Sequence, residues 1–69
     1  MLPLEIQKKL EELKNCEQVG IKTIEGTTFT INYVDIVNDI EQEVLFVKAP
    51  FGCNERIFLY CVIRSISSL

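Results

Sequence analysis

The chain has 69 residues, 48 % of them hydrophobic, with 7 Lys and Arg against 10 Asp and Glu, a net charge of −3, no His and no Trp. That length allows a single domain, 1–69, with a thin core, because a chain this short buries only about 60 % of the surface it exposes when unfolded. The missing His removes the commonest acid–base group and the commonest metal ligand, and the negative charge argues against a polybasic patch for nucleic acid or membrane.

Residues 3–15 are predicted as a helix. Pro3 suits the first helical position, where its missing N–H costs nothing. Glu5 and Lys14 complement the two ends of the helix dipole, and Glu5 and Lys9 stand four residues apart in the favourable order. Leu2, Ile6, Leu10 and Leu13 form one apolar stripe. So short a helix is unstable alone, so the stripe is expected to dock, most simply on a sheet. Its polar face mixes Glu11 and Glu12 with Lys8 and Lys9, which argues against a membrane-surface helix.

From residue 19 the pattern becomes β. Val19, Ile21 and Thr23 alternate with smaller or polar neighbours and meet Glu25-Gly26, a hairpin signal. In TTFTINYVDIV, Phe29, Ile31 and Tyr33 share one face, then Val34 and Ile36 are apolar on the other parity. Such a slip implies a bulge or sharp bend. Asn38-Asp39 marks a second turn, and 43–48 (EVLFVK) a third strand that is apolar on both faces. Residues 49–55 read as a loop, 57–61 as a fourth strand, 62–64 as one helical turn and 65–67 as a short last strand. The expectation is mainly β with one N-terminal helix, with 19–67 forming a bent five-stranded antiparallel small barrel.

Cys16, Cys53 and Cys61 make an odd number without CxxC spacing, which fits reduced thiols in a cytoplasmic protein better than a disulfide framework or a zinc site. The charged N-terminal stretch has no signal-peptide core, and no apolar run approaches the ~20 residues that span a bilayer. A catalytic cysteine lacks a His base. Cys53, in the expected loop, is the thiol best placed to react. The carboxylate pairs Glu41/Glu43 and Glu11/Glu12 read as solvated faces rather than a glycosidase pair. With no phosphate-loop, dinucleotide or nucleophile-elbow motif, no enzymatic activity, cofactor or metal is expected.

The strand-turn-strand VGIKTIEGTTFTINYV, the Asp39 turn into EVLFVK and the ending LYCVIRSIS resemble the Sm-like fold, the SH3-like small barrel of Sm, Lsm and Hfq proteins. Gly26 and Phe29 match the glycine and following apolar residue of that family's first hairpin, Asp39 its aspartate, and Ile63 and Ile66 the inward pair around a 3₁₀ corner. This chain lacks the family's second glycine, having Ile31-Asn32-Tyr33 there. The basic Lys-His pair of Hfq falls on Tyr60-Cys61, and Glu5 lies nearest its uridine-binding glutamine. The resemblance implies a homo-oligomeric ring that binds RNA.

Two sets of candidates follow. For self-association they are Val44, Phe46, Ile57, Leu59 and Cys61, on strands whose excess of apolar residues suits addition to a neighbour's strand. For nucleic acid they are Lys22, Lys48, Arg56 and Arg64, with Tyr60, Tyr33, Phe51 and Phe58 as stacking platforms. The leading reading is a non-enzymatic Sm-like protein acting by self-assembly and binding of RNA, without a membrane partner. The alternative is an SH3-like structural or adaptor module that binds protein.

Overall fold

The computed structural model describes residues 1–48 and 56–69; Phe51, Cys53 and the rest of the expected loop lie outside the described residues. Helix α1 runs Pro3–Glu12, with Leu13 as its C-cap, and so stops short of residue 15. Ile6, Leu10 and Leu13 are buried, but Leu2 is 67 % exposed. Leu2 is the N-cap and has extended backbone, so it stands outside the helical stripe. Its side chain has no acceptor for the first-turn amides. Only the reciprocal half of a capping box forms, in which the Leu2 N–H donates to Glu5 Oε1 at 3.2 Å. Glu5 therefore serves the helix start, and Lys9 pairs instead with Glu12 at 3.5 Å.

Strands β1 (Gln18–Thr23) and β2 (Thr28–Asn32) form the expected hairpin. Gly26 takes φ +91°, where a side chain is strained. Its N–H donates to the Thr23 carbonyl, and the Thr23 N–H donates to that of Thr27, both at 2.9 Å. The predicted slip after β2 is larger than a bulge. It is a complete 3₁₀ turn, Tyr33–Asp35, that ends one strand and starts another, β3 (Ile36–Asp39). Val34 at its apex is 83 % exposed.

Strands β4 (Val44–Val47) and β5 (Arg56–Leu59) follow. A second 3₁₀ turn, Tyr60–Val62, then leads into β6 (Ile63–Ser68). This corner comes two residues earlier than predicted, and the last strand is longer. Both 3₁₀ turns carry the same spacing, Tyr-x-x-Ile, and in both the Ile N–H donates to the Tyr carbonyl.

The described residues thus hold six strands in two antiparallel sheets, ordered β2-β1-β6 and β3-β4-β5. The chain is mainly β with one N-terminal helix, as expected, but the strands do not join into a single five-stranded barrel. The two 3₁₀ turns break the long strands, and each carries the chain from one sheet to the other. Between the sheets lies one apolar cluster. Val19, Ile21, Ile31, Ile63 and Ile66 come from the first sheet, Leu45 and Phe58 from the second, Tyr60 from its corner, and Ile6, Leu10 and Leu13 from α1. The Met1 nitrogen donates to the Tyr60 and Ile63 carbonyls, each at 2.7 Å, which holds the start of the helix against the second corner. Among the described residues no helix is long and apolar enough to cross a membrane.

The turn from β3 to β4 contains a strained residue. Asp39 Oδ1 accepts the Gln42 N–H at 3.2 Å, and Glu43 sits at φ +55°, a left-handed conformation that costs a side-chain-bearing residue about 1–2 kcal/mol. Glycine avoids that cost but loses more backbone entropy on folding. Glu43→Gly is therefore expected to raise stability by about 0.5–1 kcal/mol. A urea titration checks this, and a lower midpoint would mean that the Glu43 side chain stabilises the turn by more than its backbone costs.

Candidate interaction surfaces

Register places most of the association candidates on one surface. In β3-β4-β5, Val37 pairs with Phe46 and Phe46 with Ile57, while Asp39 pairs with Val44 and Val44 with Leu59. Directly paired residues share a sheet face. Leu45 and Phe58, on the opposite parity, belong to the core, whereas Val44 and Phe46 stand outside the core cluster. Val37, Phe46, Ile57 and Leu59 thus form an outward apolar face, with Ile57 57 %, Leu59 49 % and Val37 42 % exposed. Ile40, in the adjoining turn, is also exposed.

Two of the association candidates differ in position from the other three. Val44 shares the outward face but is only 6 % exposed, so the chain already covers it. Cys61 is exposed but lies on the 3₁₀ corner, where it lines a cleft with Met1, Leu2, Pro3, Gln42 and Leu59. Val37 was missed in the sequence, although its parity with Asp39 places it on this face once β3 is separated from β2. Cys16 is half-buried and also a free thiol. Among the described residues no three Cys, Asp or Glu side chains gather as metal ligands.

The cationic candidates are dispersed. Lys22 is exposed on β1, paired with Ser65 of β6. Lys48 follows β4 and Arg56 opens β5, both at one end of the second sheet. The Arg56 guanidinium lies over the Phe29 ring, 4.4 Å from its centroid, and Phe29 meets Phe58 edge-on at 5.3 Å. That contact occupies a ring face that a base would need. Arg64 is the extra residue where the β1–β6 register shifts between Lys22 and Thr23. A bulge re-aims the side chain it carries, and Arg64 lines a cleft with Lys8, Lys9, Glu5, Glu12, Ser65 and Ser67. Lys8 and Lys9 were not singled out in the sequence, because the docking of α1 beside β6 is tertiary.

Tyr60 is not a stacking platform. It is 2 % exposed and its hydroxyl donates to Asn38 Oδ1. Burial pushes the phenol above its ordinary value, and the nearby carboxylates of Asp39 and Glu43 add to the rise. Phe58 is buried as well. Tyr33 is half-buried, and its hydroxyl donates to the Leu10 carbonyl at 2.7 Å, which ties the first corner to the helix.

No protein-family model, no curated protein and no solved structure matches the chain.

Proposed function

We propose that the chain is a non-catalytic small β protein of the Sm-like or SH3-like kind, which acts by self-assembly and by binding. The observation that supports this best is the outward apolar face of β3-β4-β5. Val37, Phe46, Ile57 and Leu59 line up across the strands, and β5, an edge strand of this sheet, has no neighbour on one side among the described residues. Exposed apolar rows beside an open strand edge suit a protein partner, and a thin core gains from having a second subunit cover it.

Leu59→Glu tests this reading. Leu59 is half exposed, so the new carboxylate stays hydrated and the fold survives. Association is expected to weaken tenfold or more, roughly the effect of 1.4 kcal/mol. Light scattering across a concentration series, with circular dichroism to confirm folding, gives the result. A variant that assembles like the parent chain removes the apolar face from the reading.

RNA is the ligand proposed for the assembled protein, and the cleft in which Arg64 and Lys8 stand with Lys9, Glu5 and Glu12 is its proposed site. Binding of a single-stranded oligonucleotide should fall steeply as salt rises, because phosphate contacts release counterions. Fluorescence anisotropy with labelled uridine- and adenosine-rich strands measures this. Absence of binding in low salt favours the protein-binding adaptor instead.

A further inference from the structure

The open edge of β5 allows the mode of assembly to be specified. In an antiparallel ladder, pairs that exchange hydrogen bonds alternate with pairs that do not. The Tyr60 N–H donates to the Glu43 carbonyl at 2.9 Å. Following the ladder back by twos, Phe58 bonds to Leu45 and Arg56 to Val47. Ile57 and Leu59 therefore turn their N–H and C=O groups away from β4. Among the described residues no strand pairs with β5 on that side.

Charge is distributed unevenly along this edge. At the Arg56 end stands Lys48, one residue past the Val47 that pairs with Arg56. At the Leu59 end stand Glu41 and Glu43 of the turn into β4, whose first residue, Val44, pairs with Leu59. Asp35 also lies near the basic end, where its carbonyl accepts the Lys48 N–H, but it leads into β3, two strands from the edge. Among the described residues, the Arg56 end of β5 is basic and the Leu59 end acidic.

We propose that β5 is a dimerisation strand, pairing antiparallel with β5 of a second copy about a two-fold axis at Phe58. This rests on the self-assembly reading above and narrows it to a closed pair. Antiparallel approach sets each basic end against the partner's acidic end, whereas parallel approach would join like charges. Ile57 then exchanges backbone hydrogen bonds with Leu59 of the partner subunit, and Leu59 does so reciprocally. All the outward-turned groups of the edge are satisfied by the same contact, as a two-fold interface requires. The side chains of Ile57 and Leu59 meet across the junction, and the apolar rows of the two copies merge into one face.

Ile57→Pro tests the pairing directly. It deletes an N–H that points at the partner and leaves the Phe58 and Arg56 bonds to β4 intact, and proline is tolerated at a strand edge. The parent chain is expected to sediment as a dimer, and the folded variant as a monomer. A second measurement covers the case in which the variant fails to fold. Chains carrying Cys16→Ser, Cys53→Ser and Cys61→Ser are made with either Ile57→Cys or Leu59→Cys, then mixed under mild oxidation. Directly opposed positions lie within disulfide reach, and diagonal ones do not, so covalent dimers are expected in the mixture and not in either variant alone.

A parent chain larger than a dimer, without the mixed cross-link, overturns the two-fold pairing but leaves self-assembly standing. A parent chain that stays monomeric at high concentration overturns both.

Discussion

Truncating Ile21 to alanine is expected to lower the unfolding free energy by about 3–4 kcal/mol, within the range for buried Ile and Leu truncations. Ile21 is fully buried and sits on β1, the central strand of its sheet. It pairs with Phe29 on one side and Ile66 on the other, so the vacated volume lies between two fixed ladders and cannot readily collapse. Proteins of this length have only roughly 3–10 kcal/mol in total, so the loss consumes much of the margin. A urea titration followed by circular dichroism measures it. Val34→Ala, at the solvent-exposed tip of the first 3₁₀ turn, is the matched control and should stay within about 0.5 kcal/mol of the parent. If the two variants behave alike, Ile21 is not the centre of the core.

The second large effect belongs to Tyr60. Tyr60→Phe keeps the buried ring but removes the hydroxyl that donates to Asn38 Oδ1, and an acceptor left without its partner costs about 1–3 kcal/mol. The same substitution changes the response to alkali. Burial, the largest influence on this phenol, favours its neutral form in the folded chain. The unfolded chain ionises at the ordinary tyrosine value near 10, while the folded chain still holds its proton. Above about pH 10 the unfolded state therefore binds fewer protons, and stability falls as pH rises towards the folded value. Below about pH 10 the contribution is fully present. The phenylalanine variant should start less stable at neutral pH and lose less over the interval above about pH 10. Parallel urea titrations across that interval check the sign; equal slopes for the two chains would remove Tyr60 from the alkaline limb.

Much of this architecture is legible where one periodicity prevails. Ile6, Leu10 and Leu13 announce the docking stripe, Val19, Ile21 and Thr23 the inward side of β1, and Gly26 the left-handed hairpin position. Ile63 and Ile66 are the inward pair that the ending of the chain suggested. Legibility fails where both parities are apolar. In IFLYCV, alternation cannot say whether Phe58 and Tyr60 or Ile57 and Leu59 turn inward, and the packing chose the aromatic pair. The strand break at Tyr33–Asp35 was visible as a change of phase, but a bulge and a 3₁₀ turn shift phase alike, so the number of strands was not fixed. The spacing Tyr-x-x-Ile, present at both corners, was the available signal. The apolar surface was read as a set of residues, and strand register turned most of that set into a face. The cations could not be grouped in this way, because Lys8, Lys9 and Arg64 are brought together only when α1 settles beside β6.

The position of β1 bears on how such a chain comes to fold. Its partner β2 is separated from it by one short turn, but its other partner, β6, is brought in from the far end of the sequence, with Val19 opposite Ser68. The β1–β2 hairpin and the β3–β4 pair can close over short distances, whereas the β1–β6 ladder must first close a loop of most of the chain. Ile63 and Ile66 enter the core only with that last ladder. Since β6 follows β5 through a three-residue turn, the second sheet delivers the strand that completes the first. Neither sheet seals its apolar side before the other is in place, so the chain is expected to unfold in a single cooperative transition.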